Sequence, residues 1–117
     1  MDTRPLFTES ERVVQGIKER EVSGMSKSIM QIEKVCYLSG RTDALERHHI
    51  FGASNRKWSE KYGLWVWLNH YWHNEPPYGA HHNKNVMDFL HREGQKAFEE
   101  VHGTREDFMR IFGRNYL

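Results

Sequence analysis

The sequence predicts an α+β fold in which two short strands are followed by two helices. Two stretches, 44–50 and 64–69, have the composition and the alternation of β-strands. The stretch 83–101 repeats its apolar residues at helical spacing, and a shorter helix follows it from Thr104. With a further helix before the strands, the predicted order is helix, β, β, helix, helix.

The N-terminal part of the chain is predicted to be a helical arm. Thr8 and Glu11 have the spacing of a capping box, which favours a helix that runs to about Glu21. The apolar stripe of this helix is narrow, which is typical of a peripheral element. We therefore divide the chain into an arm, residues 1–25, and a main domain, residues 26–117.

Turn and capping signals subdivide the main domain. Residues 28–40 contain β-forming side chains and end at a turn, "SG". Between the two strands, "SNRKWSEKYG" predicts a loop with one helical turn. Gly94 is a weak position in the long helix, because glycine lowers helix stability. Asp107 lies three residues after Thr104, so this pair predicts a capping box for the last helix.

The composition fits one small domain from a reducing compartment. The chain has 117 residues, of which 38% are hydrophobic and 28% are charged. The longest apolar run, "LWVWL", is far shorter than a membrane span, and no signal-peptide pattern is present. Cys36 is the one cysteine, which excludes an intrachain disulfide. We therefore expect a cytoplasmic protein without a membrane segment.

Charge is distributed unevenly along the chain. The net charge of +1 neither demands nor excludes a nucleic-acid partner. The residues that bracket the histidine-rich middle are basic: Arg41, Arg47, Arg56, Lys57, Lys61, Lys84 and Arg92. A local basic surface of this kind is able to bind phosphate groups.

The histidines are the most informative feature of the sequence. Six of the eight lie between positions 48 and 82, in the stretches "RHHI", "HYWHN" and "AHHN". Ordinary surface histidines are one interpretation. The other is a metal site, since imidazole is a frequent ligand of zinc, nickel, manganese and iron. Adjacent histidines at a strand end point to opposite sides, so one can bind a metal while its neighbour activates water.

The ordered set "RHHIFG", "SEKYGLWVWL", "HN" and "GAHHN" resembles the HNH, or ββα-metal, endonucleases. The likeness is to the compact, phage-borne branch of that family, which includes RecA-dependent recombination nucleases. It extends from about Cys36 to Asn83, with a further likeness in the tail "FMRIFGRNYL". The resemblance implies a β-hairpin and a helix that hold one divalent ion, whether zinc, magnesium, manganese or nickel.

The resemblance also implies roles for individual residues. His48, His73 and His81 match the metal ligands, and His49 matches the general base. The middle asparagine of the family has no match, which leaves its task of orienting the base to Asn74 or Asn83 as the remaining catalytic candidates. The implied reaction is hydrolysis of DNA phosphodiester bonds in a bacterial host cell, by a protein that a phage or prophage encodes.

DNA is the partner that the resemblance implies, and a recombinase filament is a further one. The side chains expected to position phosphates are Arg47, Arg56, Lys57, Lys61 and Lys84. Arg114, in the tail, is a possible addition to this set. We expect weak base specificity, because few features of the chain have the character of a sequence-reading element.

One departure from the family concerns its structural zinc knuckle. The four corresponding positions are Cys36, Ser39, Asn69 and Trp72, which leave one thiolate. Serine, asparagine and tryptophan do not complete a closed tetrahedral zinc site. We therefore predict that the structural zinc is absent and that Cys36 is a buried, inert thiol.

Two other functions compete with the nuclease. The first is a noncatalytic DNA-binding or recombination-accessory module on a degenerate HNH fold. The second is a structural zinc protein whose histidines only hold the fold together, which predicts unfolding on chelation.

Overall fold

The computed structural model of the protein describes residues 26–117. This part is α+β and contains a two-stranded antiparallel sheet and four α-helices. The arm predicted for residues 1–25, with its helix, lies outside the described residues. Among the described residues, no helix has the length and apolar character that crossing a membrane requires.

The two strands form at the predicted positions. Strand β1, Leu45–His49, pairs with strand β2, Trp65–Asn69, and His48 lies opposite Val66 in the register. Since side chains alternate between the faces of a sheet, His48 and His49 point in opposite directions at the end of β1. This alternation separates the two neighbouring imidazoles.

The connection between the strands is more helical than predicted. A 3-10 turn, Ala53–Asn55, leads into helix α1, Arg56–Tyr62, where the sequence indicated one helical turn. The buried Ser59 anchors this helix, because its hydroxyl accepts from the Phe51 N–H at 2.9 Å and donates to the Phe51 carbonyl at 2.8 Å. Gly63 ends the helix with a φ of +71°, which favours glycine.

A short helix that the sequence did not predict follows β2. Helix α2, His70–Asn74, begins where the Asn69 side chain accepts a hydrogen bond from the Tyr71 N–H at 2.9 Å. It is too short to show an apolar period of its own. A second 3-10 turn, Ala80–His82, lies beyond it and precedes the long helix.

The two C-terminal helices form at the predicted positions. Helix α3 spans Lys84–Val101 and helix α4 spans Arg105–Phe112. The capping box is present, with the Thr104 hydroxyl accepting from the Asp107 N–H at 3.0 Å. The core that these helices share with the sheet includes Ile50, Phe51, Leu64, Val66, Leu68, Leu90, Phe98, Phe108 and Phe112.

The first described segment, residues 26–44, lies along the sheet without becoming a strand. The Tyr37 N–H donates to the Trp67 carbonyl at 2.8 Å, and the Gln31 side chain accepts from the Trp67 N–H at 2.6 Å. These bonds satisfy backbone groups of β2 that a third strand would otherwise bind. The β-forming residues of this segment therefore cover a sheet edge.

Gly94 is required by packing, although glycine is unfavourable in a helix. A Cβ atom at this position would lie 2.7 Å from Ile50 Cγ2 and 3.1 Å from Phe51 Cε2, both buried. We expect Gly94→Ala to lower the free energy of unfolding by about 1–3 kcal/mol, because overpacking outweighs the better helix propensity of alanine. Urea unfolding followed by circular dichroism measures this change.

Lys96→Ala, on the exposed side of the same helix, is the matched control and is expected to change stability by less than about 0.5 kcal/mol. Equal or greater stability of Gly94→Ala would contradict the packing argument.

Candidate metal centre

Three imidazoles from separate parts of the chain converge at one point. His48 comes from β1, His73 from α2 and His81 from the 3-10 turn. Their potential ligand atoms all lie within 4.8 Å of one another, and the Nε2 atoms of His73 and His81 are 3.1 Å apart. The three side chains are close enough to bind one metal ion.

The environment of His48 is suited to a metal ion. The residue is 3% exposed, and its Nε2 has no hydrogen-bond partner among the described residues. Burial, followed by the nearby His73 and His81, lowers the pKa of His48 to about 3, so the ring is neutral and has a lone pair. A buried nitrogen without a partner is costly, and coordination of an ion removes that cost.

Glu46 orients one of the three imidazoles. Its Oε1 accepts a hydrogen bond from His73 Nδ1 at 2.7 Å, which leaves His73 Nε2 free to face the centre. The hydrogen bond from His73, more than any other contact, lowers the pKa of Glu46 and keeps it ionised. Sequence reasoning missed this residue, although Glu46 is two positions before His48 and therefore on the same face of β1.

The neighbouring histidines lie outside this triad of His48, His73 and His81. His70 bridges Glu46 at 2.8 Å and Glu75 at 2.9 Å, and the Glu46 hydrogen bond is the main reason that its pKa is raised. His82 is exposed beside His81 and is not a member of the group. Of the clustered imidazoles on this side, the structure brings together the three that the resemblance assigned to a metal.

His49 lies on the other face of β1 and pairs with a carboxylate. Its Nε2 is 2.8 Å from Glu60 Oε1, and its side chain is 10% exposed. Glu60 also accepts from Arg47 Nη2 at 3.0 Å and from the Ser26 N–H at 2.7 Å. Burial alone would raise the pKa of Glu60, but the bonds from His49 and Ser26 outweigh it, so that the pKa is lowered. His49 therefore faces an ionised carboxylate.

The two asparagines expected to orient the base make their hydrogen bonds elsewhere. Asn74 Nδ2 donates to Glu46 at 3.1 Å, on the side of the three convergent imidazoles. Asn83 caps α3 by accepting from the Val86 N–H at 3.1 Å, and its Nδ2 donates to the Pro77 carbonyl at 3.1 Å. The latter bond steadies the loop that leads to His81. Glu60, which sequence reasoning missed, is the residue that contacts His49.

The five basic residues expected to contact DNA divide into two groups. Arg47 pairs with Glu60 and its guanidinium lies 3.6 Å from the centre of the Trp65 ring, while Lys84 pairs with Asp88 at 2.6 Å. The other three lie exposed on α1: Arg56, Lys57 and Lys61. Helix α1 also carries Glu60, so this basic face adjoins His49.

Two of the positions that correspond to the family's zinc knuckle, Ser39 and Asn69, contact Cys36. The thiol is buried and receives hydrogen bonds from the Asn69 backbone and from Ser39. Burial raises the pKa of Cys36, but these hydrogen bonds outweigh it and lower the pKa overall. Trp72 packs against the core and lies 6.3 Å from the Tyr78 ring. The absence of a structural zinc stays a prediction.

Comparison of the chain with protein-family models, with curated proteins and with solved structures finds no match.

Proposed function

We propose that this protein is a metal-dependent DNA endonuclease of the HNH, or ββα-metal, type. The observation that carries the proposal is the buried Nε2 of His48, which lacks a hydrogen bond and lies beside the ring nitrogens of His73 and His81. An adjacent histidine, His49, is held off this centre by a carboxylate. Metal-assisted hydrolysis requires this separation of ligand and base.

The arrangement of the elements supports the finer fold assignment. Strands β1 and β2 and helix α2 follow one another as β, β and α, and two of the three histidines lie on the first strand and on the helix. The third, His81, reaches the centre from the 3-10 turn that follows. We propose that these elements form the ββα-metal unit, with the remaining helices packed around it.

The ligand atoms suit a borderline divalent ion, because three imidazole nitrogens bind zinc, nickel or manganese better than magnesium. Such an ion, when bound, neutralises the charge that develops on the scissile phosphate and on the leaving 3′ oxygen. His48, His73 and His81 would hold it, and Glu46 fixes the orientation of His73. Three protein ligands leave coordination positions open for the substrate.

His49 and Glu60 perform the proton transfer in this proposal. The hydrogen bond to Glu60 assigns the Nε2 proton to that side, so Nδ1 of His49 takes the proton from the attacking water. The ionised Glu60 then stabilises the imidazolium that forms. The products are a 5′-phosphate and a 3′-hydroxyl end.

The exposed basic residues of α1 are proposed to bind the DNA backbone. Arg56, Lys57 and Lys61 are exposed on the helix that also supplies Glu60. Contacts to phosphates position a duplex or a single strand without reading its bases. This agrees with the expectation of weak sequence specificity.

Cleavage of supercoiled plasmid tests the proposal. The protein is stripped with a chelator, and Mg²⁺, Mn²⁺, Ni²⁺ and Zn²⁺ are added back separately. We expect nicking that depends on added metal. The His82→Ala variant, a control beside the triad, is expected to retain this activity. Binding of one ion per chain and of DNA without cleavage would favour the noncatalytic module. Unfolding on chelation, again without cleavage, would favour the structural zinc protein.

A further inference from the structure

The C-terminal tail that follows α4, residues 113–117, is held in place by a buried glutamine. Gln95, on α3, is fully buried, and its Oε1 accepts from the Tyr116 N–H at 2.6 Å. Its Nε2 donates to Asn115 Oδ1 at 2.8 Å and to Glu99 Oε2 at 2.8 Å. A buried amide that is satisfied in this way specifies one conformation. The position of the tail is therefore determined by the fold.

In the tail, an arginine and a histidine both contact one aromatic ring. The Tyr116 ring centre lies 4.6 Å from the His91 ring and 4.6 Å from the Arg114 guanidinium carbon. His91 in turn stacks on Phe51, with ring centres 5.2 Å apart and an angle of 14° between the planes. His91 thus contacts two aromatic rings, and Arg114 lies over one of them, the ring of Tyr116.

This stack adjoins the metal centre. Phe51 is three residues beyond His48, and the Ile50 backbone between them hydrogen-bonds to His91. His91 lies seven residues into α3, about 10 Å along the helix from Lys84, which follows the turn that carries His81. A charge on His91 also lowers the pKa of His48, as expected for neighbouring groups.

Arg114 supplies the positive charge at the stack. Arg114 is exposed and has no carboxylate partner among residues 26–117, whereas Arg110 pairs with Asp107 at 2.7 Å. Burial, opposed by Asp88, lowers the pKa of His91, and the charge of Arg114 lowers it further. An anion beside Arg114 would therefore meet a guanidinium that stacking has oriented and that no acidic side chain neutralises.

We infer that Arg114 and His91 form a subsite for a second backbone phosphate, next to the one that the metal centre would cleave. The inference rests on the proposed function and adds a second phosphate-binding position to it. A site with two phosphate positions acts on a polynucleotide strand and discriminates against esters that contain a single phosphate. Tyr116 and Gln95 are positioning residues, since they hold the arginine without contacting the substrate.

Binding of a fluorescein-labelled DNA oligonucleotide, measured by anisotropy in EDTA over a range of salt concentrations, tests this subsite. We expect Arg114→Gln to weaken binding by about 5- to 10-fold at low salt and to lower the slope of log K against log[salt] by about 0.7 to 0.9. Arg110→Gln, the matched control, is expected to remain within about twofold of the parent, since Arg110 already has an acidic partner.

Cleavage with added metal separates the subsite from the nuclease itself. Arg114→Gln is expected to slow the cleavage of DNA and to leave unchanged the cleavage of bis(p-nitrophenyl) phosphate, which has one phosphate. Unchanged affinity and salt slope in Arg114→Gln would overturn the subsite even if the parent is a nuclease. If DNA binding by the parent depends on Arg114 but the parent cleaves neither substrate, the subsite is supported and the nuclease proposal fails. A parent that does not bind DNA overturns both.

Discussion

Replacing His49 with alanine is expected to lower the rate of DNA cleavage by about 1000-fold or more, while the protein keeps its metal ion. General base catalysis contributes about 100- to 10,000-fold in other enzymes. The side chain is on the face of β1 opposite His48, so its removal leaves the three convergent imidazoles untouched. Single-turnover cleavage at saturating metal measures the rate, and calorimetric titration measures metal binding.

The Glu60→Gln variant tests whether Glu60 assists proton transfer by His49 or only contributes to DNA binding. Glutamine retains the size of the side chain but removes the negative charge that stabilises a protonated His49. We expect a loss of roughly 10- to 100-fold in rate, smaller than that of His49→Ala, with DNA affinity unchanged. His82→Ala serves as the control in both experiments. Loss of the metal from His49→Ala would refute the division of tasks between the two adjacent histidines.

Replacing His48 with leucine is expected to abolish both metal binding and cleavage. Two imidazoles remain, and we expect the affinity for the ion to fall by at least about 100-fold. The metal-free variant is expected to be as stable as the parent or about 1 kcal/mol more stable at neutral pH, because a buried nitrogen without a partner has been removed. Metal titration and urea unfolding in EDTA measure the two effects.

The pH dependence of unfolding provides an independent check on this variant. Burial and the neighbouring His73 and His81 lower the pKa of His48 to about 3 in the folded chain, against about 6.5 when it is unfolded. The unfolded state therefore binds more protons between these values, and the stability of the metal-free parent decreases as the pH falls through this window. His48→Leu lacks that contribution. A parent and a variant with the same acid dependence would contradict the assigned burial.

Tight metal binding by His48→Leu would contradict the assignment of the centre more directly. His82→Ala is again the matched control, since it removes an imidazole adjacent to the triad without altering it. Retained binding in His82→Ala, together with its loss in His48→Leu, would separate a specific site from the general affinity of exposed histidines for metals.

The elements that the sequence determined are those with a short-range signal. The alternation in 64–69, the helical spacing in 83–101 and the capping box at Thr104 each involve residues within a few positions of one another. Such patterns are visible in the chain without knowledge of what packs against it. The adjacent histidines belong to this group, because strand geometry alone separates their directions.

The contacts that complete the site were decided by the tertiary structure. Glu60 meets His49 across 11 positions and Glu46 meets His73 across 27, and neither pair has a local signature. The length of α1 depends on Ser59 bonding to Phe51, which a window of sequence around the helix does not contain. Local propensity therefore predicted a helix shorter than the one present, and the family pattern predicted an asparagine where Glu60 contacts His49.

Gly94 shows, at a single residue, the difference between what the local sequence predicts and what tertiary packing decides. Its helix propensity identifies a weakness, whereas Ile50 and Phe51 lie too close to its backbone for any side chain to fit without displacement. The sequence by itself determined which segments become strands and helices, and which residues are available for chemistry. The tertiary structure decided which of those residues meet, because each contact depends on how distant segments pack around a common core.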